Sequence, residues 1–167
     1  MLFGDEDDKN KYKIEYLGDH FSKDLKVNKV IVLGLYGVGK TCIIQKLMNK
    51  EVYKEYAPTM NIDIKNFQVK VNDKKIQIQI WDVCGKDKFA QNMPNLFKNT
   101  SIAIIVYAIN NKSSFNNLIN WYNLVKKYSL DSIIFLIGNK SDLKEKTREV
   151  SIEDVETFKN NYADNIN

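Results

Sequence analysis

Short apolar runs separated by helical periods predict an α/β fold: a mainly parallel sheet with one antiparallel hairpin and helices on both faces. Three observations carry that expectation. Continuous apolar runs at 29–33, 102–107 and 133–137 have the length and composition of parallel strands covered on both sides. Apolar residues after two of these runs recur at helical spacing. Finally, Phe67, Val69 and Val71 alternate, Asn72-Asp73 turns the chain, and Ile76, Ile78 and Ile80 alternate back, which is a hairpin pattern.

Each element can be justified in order. Residues 1–26 are polar and charged, so a mobile extension is expected there, and the domain proper is expected over 27–167. Only Ile14-Glu15-Tyr16-Leu17 alternates, weakly enough to suggest at most a sheet-edge piece. The first strand is expected near 29–33, followed by a glycine loop and a helix to about residue 49 with Ile43, Ile44, Leu47 and Met48 on one face. From 50 to 61 no period survives and Pro58 opposes helix, so an exposed loop is expected, containing Tyr56-Ala57-Pro58-Thr59. The second hairpin arm ends in Trp81-Asp82-Val83-Cys84-Gly85, and a polar stretch to Lys88 leads into an expected helix. Phe115, Leu118, Tyr122 and Val125 mark another helix between the later strands. Ser151, with Asp154 three residues on, reads as the capped start of a last helix with Val155 and Phe158 inward.

The totals narrow the function classes. A chain of 167 residues can bury one core without disulfide or metal staples, and its 44% hydrophobic and 28% charged fractions are those of a globular domain. The two cysteines, Cys42 and Cys84, show no metal or disulfide spacing, which fits a reducing, cytoplasmic setting. The net charge of +4 is mild and the lysines form no aromatic-interleaved stripe, so no nucleic-acid partner is expected. No apolar run has the length of a membrane span, and Leu2 at the second position excludes N-myristoylation.

The chemistry begins at Gly34-Leu35-Tyr36-Gly37-Val38-Gly39-Lys40-Thr41. Glycine, four residues, glycine, Lys and Thr between a strand and a helix form the phosphate cradle of a P-loop NTPase. Lys40 would reach the terminal phosphates, the Thr41 hydroxyl would hold Mg²⁺, and Cys42 belongs to the same nucleotide-facing turn. Thr59 can offer a hydroxyl to Mg²⁺ and an N–H to a γ-phosphate, or be a solvated loop threonine. Asp82, at a strand end, can hold the metal through water, or be a turn residue; Gly85 lets backbone approach the γ-phosphate, or is a plain turn glycine. In Asn139-Lys140-Ser141-Asp142 a carboxylate at Asp142 can accept from adjacent N–H donors such as guanine N1 and N2. Asn139 can bridge base and loop, and the Lys140 stem can lie along the ring, although a polar turn before a helix is the plainer alternative.

With these four motifs in this order, the chain resembles a Ras-superfamily small GTPase over about 29–158, most closely the Rab branch. The Rab flavour comes from the hairpin around Val71-Asn72-Asp73-Lys74-Lys75, from Asn99-Thr100-Ser101 and from Ser113-Ser114-Phe115-Asn116-Asn117-Leu118, while Gly34-Leu35 and Trp81-Asp82-Val83 lean toward Arf. The resemblance implies GTP and GDP as ligands with Mg²⁺, and a two-state switch in which Thr59 and Gly85 are drawn toward the γ-phosphate. It implies an exchange factor, a GTPase-activating protein and effectors that read the switch surface at Ile64, Trp81 and Leu96. It also implies a monomer, a role in vesicle trafficking and, by analogy only, the cytosolic face of endomembranes. Tyr56 matches the tyrosine that closes over the phosphates.

Some positions depart from the family. Lys86 stands where a glutamine usually orients the attacking water, and an ammonium cannot accept that water's proton, so slow hydrolysis is expected. Tyr36 replaces a small residue and could obstruct an arginine finger, and Val52 replaces an aromatic at the guanine edge unless Tyr53 substitutes. Asn167 precedes the family's Ser-Ala-Lys loop, last strand, last helix and prenylated tail, so the sequence is expected to be either a fragment or truncated product, or a divergent member that manages a missing edge strand, for which Ile14–Leu17 is the candidate cover. A nucleotide-holding scaffold without turnover is the second reading; the Asn139–Asp142 motif argues against a P-loop ATPase or kinase.

Overall fold

The computed structural model describes residues 14–19, 21–48, 50, 59–86, 92–143 and 147–162. Six strands form one sheet: β1 (Ile14–Gly18), β2 (Val27–Leu33), β3 (Ile62–Val71), β4 (Lys74–Val83), β5 (Ile102–Ala108) and β6 (Ile133–Asn139). Four helices accompany them: α1 (Lys40–Leu47), α2 (Lys112–Asn116), α3 (Leu118–Tyr128) and α4 (Ile152–Tyr162), with a 3₁₀ turn at Pro94–Leu96. The spatial order is β1-β3-β4-β2-β5-β6. β2 pairs in parallel with both β4 and β5, and β5 with β6, whereas β3 pairs antiparallel with β4 and with β1.

The alternation of β2 feeds both faces of the sheet. Ile31 and Leu33 join Val83, Ile105, Trp121 and Val125 on the face covered by α3 and α4. Val30 and Val32 join Val38, Ile44, Phe67, Ile80 and Val106 on the face covered by α1. Burial of each such side chain contributes about 1.5–3 kcal/mol before ordering costs. The hairpin closes as expected at Asn72, whose φ of 54° is one that Asn tolerates better than most residues.

Several expectations need correction. Within residues 1–26, the alternative of a sheet-edge piece holds over the mobile one at Ile14–Gly18, a strand held by pairing with β3 and by the Tyr16 ring against Phe67 at 5.8 Å. It covers the β3 edge of the sheet, the opposite side from β6, so it does not cover the edge assigned to it. Leu47 is 55% exposed and not on the buried face of α1, which is carried by Ile44 and Met48. The helix expected around 115–125 is two helices, broken at Asn117. Of the helix expected after residue 88, the described part is the 3₁₀ turn at Pro94–Leu96.

At the last helix the capping box forms: Ser151 Oγ accepts from Asp154 N at 3.0 Å and Ser151 N donates to Asp154 Oδ2 at 2.8 Å. Val155 and Phe158 pack inward, with Phe158 edge-on to Phe115. No helix among the described residues is long and apolar enough to cross a membrane.

Candidate functional site

The glycine loop leaves the carboxyl end of β2, whose two neighbours β4 and β5 lie on opposite sides of it. Ligands of open α/β sheets bind outside the carboxyl ends of strands at such a switch point. The loops after β4 and β6 open at the same end, which brings the motifs at Asp82–Gly85 and Asn139–Asp142 beside the glycine loop.

Glycine is required in this loop by both conformation and space. Gly34, Gly37 and Gly39 have φ of 135°, 75° and 95°. A Cβ on Gly34 would sit 2.1 Å from the Val106 carbonyl oxygen, and one on Gly39 would sit 2.2 Å from Asn139 Nδ2. α1 then starts at Lys40 with no side-chain cap and no acidic residue in its first turn, so no carboxylate offsets the positive end of the helix at the loop. Leu35, Tyr36 and Val38 fill the rest of the loop. Tyr36 is 57% exposed at the rim, and Val38 is buried beneath it. Lys40 is buried, with Nζ donating to the carbonyls of Gly34 at 2.9 Å and Leu35 at 3.1 Å, which holds the ammonium over the loop. Cys42 is half-buried one residue beyond Thr41.

Three oxygen-bearing side chains converge below the loop. Thr41 Oγ1 donates to Asp82 Oδ2 at 2.6 Å and lies 3.1 Å from Thr59 Oγ1. Asp82 is only 2% exposed, and its other oxygen, Oδ1, is buried without a partner. Burial pushes the Asp82 carboxyl above the usual carboxylate range, opposed by the Thr41 hydroxyl and the Lys40 charge. An orphaned buried carboxylate oxygen beside two hydroxyls suits a hard divalent cation such as Mg²⁺. These residues therefore fit the metal that the sequence motifs imply.

The later motifs bracket the loop. Asn139 Nδ2 donates to the Val38 carbonyl at 2.8 Å, tying the segment after β6 to the glycine loop. Lys140 has a φ of 67°, a left-handed conformation that a long side chain adopts at a cost and that clusters at functional sites. Asp142 is exposed, three residues beyond Asn139. On the other flank, a Cβ on Gly85 would stand 2.2 Å from Tyr36 N, so the loop after β4 lies directly on the glycine loop. Lys86 follows it, exposed. Tyr56, Val52 and Tyr53 lie outside the described residues.

Of the surface residues, Ile64 is 42% exposed and pairs across the strands with the half-buried Trp81. Leu96 is corrected: at 2% exposure it belongs to the core beneath α3, because the 3₁₀ turn directs it inward, and no partner can read it. One residue escaped sequence reasoning. Lys29 is buried under Trp81, with Nζ 4.0 Å from the ring centroid; its phase with Ile31 and Leu33 was the available signal.

These motifs all lie within the part of the chain that the Ras family model matches, residues 29–165. A glycine loop, a hydroxyl–carboxylate cluster and the Asn139–Asp142 motif bonded to that loop thus meet in a chain that belongs to the Ras family of small GTPases.

Proposed function

We propose that this chain is a Rab-like switch that binds GTP and GDP with Mg²⁺, hydrolyses GTP slowly and serves intracellular vesicle trafficking on the cytosolic face of endomembranes. The observation that carries it is the Asn139 side chain bonded to the Val38 carbonyl, a contact that would join base reading to phosphate binding in one site. Gly34–Thr41 would hold the phosphates, and Asp142 would accept from the guanine edge. Thr41, Thr59 and Asp82 would hold Mg²⁺, which when bound neutralises charge on the phosphate oxygens. The chain's own contribution to turnover is positional: Lys40 presents its ammonium to the terminal phosphate, and Thr59 and Gly85 offer backbone at the γ-phosphate position.

Lys86 supports slow turnover. It is exposed beside Gly85 and carries donors only, so it cannot orient water as an amide does. Exchange factors, GTPase-activating proteins and effectors would read Ile64 and Trp81, with Met60 and Met93 exposed nearby in the chain. The test is chromatography of the nucleotide released from purified protein, followed by single-turnover GTP hydrolysis with and without Lys86→Gln. Bound guanine nucleotide and faster turnover in the variant are expected. Bound ATP, or an ordinary rate unchanged by the substitution, overturns the proposal. Bound GTP with no turnover in either protein favours the scaffold reading, for which Lys86 is again the motivating residue.

A further inference from the structure

We propose that Lys29 is a positioning residue that ties the Trp81 ring to the turn at residues 94–98, so that the partner-reading hairpin surface is set by the segment following the Gly85 loop. The inference rests on the proposed role of Ile64 and Trp81 as a partner surface. Lys29 lies five residues before Gly34 on β2, on the face where Ile31 and Leu33 are fully buried, and is itself 8% exposed. A lysine there breaks an apolar layer. Its ammonium takes part in none of the ion pairs among the described residues.

What it has instead are two carbonyls and a ring. Nζ donates to Leu96 O at 2.7 Å and to Lys98 O at 3.0 Å, and sits 4.0 Å from the Trp81 centroid. Both carbonyls belong to one short stretch, beginning at the 3₁₀ turn, that follows the loop after β4. The ring is fixed a second time at its edge, where Nε1 donates to Gln79 Oε1 at 2.7 Å, and Gln79 Nε2 donates to Asn66 Oδ1 at 2.9 Å. Lys29 is level with Gln79 and Ile31 with Trp81, so the ammonium reaches the ring diagonally across β2 and β4. Trp81 in turn is level with Ile64 on β3.

A cation desolvated between two carbonyls and an aromatic face is sensitive to the position of each. Movement of the 94–98 carbonyls would draw the ammonium, and the ammonium would release or reorient the ring beside Ile64. Burial lowers the Lys29 pKa, as expected for an ammonium without a carboxylate.

The test labels the full chain with 5-fluorotryptophan and follows its two tryptophans, Trp81 and Trp121, by fluorine NMR, with Trp81→Phe assigning the resonances. Pro94→Gly loosens the turn without touching either ring. It is expected to shift the Trp81 resonance in the Lys29 protein and in Lys29→Arg, which keeps the charge and donors, but not in Lys29→Met, which keeps only the stem. A purely structural lysine would lower thermal stability in Lys29→Met without removing this response. A Trp81 shift of equal size in Lys29→Met overturns the proposal, as does no shift in the Lys29 protein, a result that stands even if Lys29→Met fails to fold. Binding of a fluorescent GDP analogue is measured on the same samples. Loss of that binding in the Lys29 protein counts against the switch reading alone, since the coupling is read without nucleotide.

Discussion

Replacing Asp82 with Asn separates what the carboxylate does for a ligand from what it costs the fold. Asp82 is 2% exposed, with one oxygen bonded to Thr41 and the other unpartnered. A buried polar group left unsatisfied costs about 1–3 kcal/mol. Asn keeps an acceptor for Thr41 and removes the charge but leaves an unpaired amide, so the lower end applies. The stripped variant is therefore expected to be more stable by about 1 kcal/mol, or about 2–4 °C in Tm for a chain of this size. Burial raises the folded-state pKa of Asp82 above the ordinary carboxylate value, so its stabilising contribution is complete below that ordinary value and is lost as pH rises through the folded pKa. The gap between the two proteins should accordingly open above the unfolded value and close in acid. With Mg²⁺ and GDP at about a thousand times Kd the parent gains about 4.1 kcal/mol by linkage. A tenfold weaker variant gains about 1.4 kcal/mol less, which reverses the order. Differential scanning fluorimetry with EDTA, and then with Mg²⁺ and GDP, reads both arms. A stripped Asp82→Asn protein that melts below the parent at neutral pH, or a gap unchanged in acid, refutes the reasoning.

Gly85→Ala would place a methyl group 2.2 Å from Tyr36 N, so one of the two loops must move; nucleotide dissociation, followed by stopped-flow fluorescence, should quicken at least tenfold, about 1.4 kcal/mol. Asp154 is held at a pKa of about 2 by Lys112 and Ser151, below its unfolded value, so its contribution is present above that value and is lost as pH falls toward 2. Asp154→Asn should flatten the acid limb of a Tm-versus-pH curve in that window. Leu96→Ala should cost about 2–5 kcal/mol in urea unfolding because it empties a fully buried site. Ile64→Ala, at a 42% exposed residue, should leave urea unfolding nearly unchanged while weakening partner capture by the GTP-loaded protein.

Local, covalently adjacent signals were the legible ones. The glycine loop, the Asn72-Asp73 turn and the Ser151–Asp154 box each specify a conformation through neighbours a few residues apart, and each forms as the chain's pattern implies. The unreadable features depend on distant partners. β1 exists because β3 offers an edge and Phe67 a ring for Tyr16, neither of which is visible in a four-residue alternation. Trp121, which the expected inward set of Phe115, Leu118, Tyr122 and Val125 left out, is fully buried one position before the half-buried Tyr122, since both fall on the inner side of α3. Leu96, expected on the partner-reading surface, is core; Leu47 reads as core and is exposed. At the site, the motif residues were legible by type, but the bond from Asn139 to Val38 across 101 residues was not.

The division of β2 between two cores sets how the molecule comes apart. Val30 and Val32 anchor one hydrophobic layer, Ile31 and Leu33 the other, and the next residue is Gly34 of the phosphate loop. Loss of either layer frees the same seven-residue strand, so the layers melt as one cooperative unit. The glycine loop continues from the end of that strand, with Val38 packed in the first layer and its carbonyl bonded to Asn139. Occupancy of the cradle is thereby coupled to global unfolding, and a bound phosphate chain fastens both halves of the domain at once.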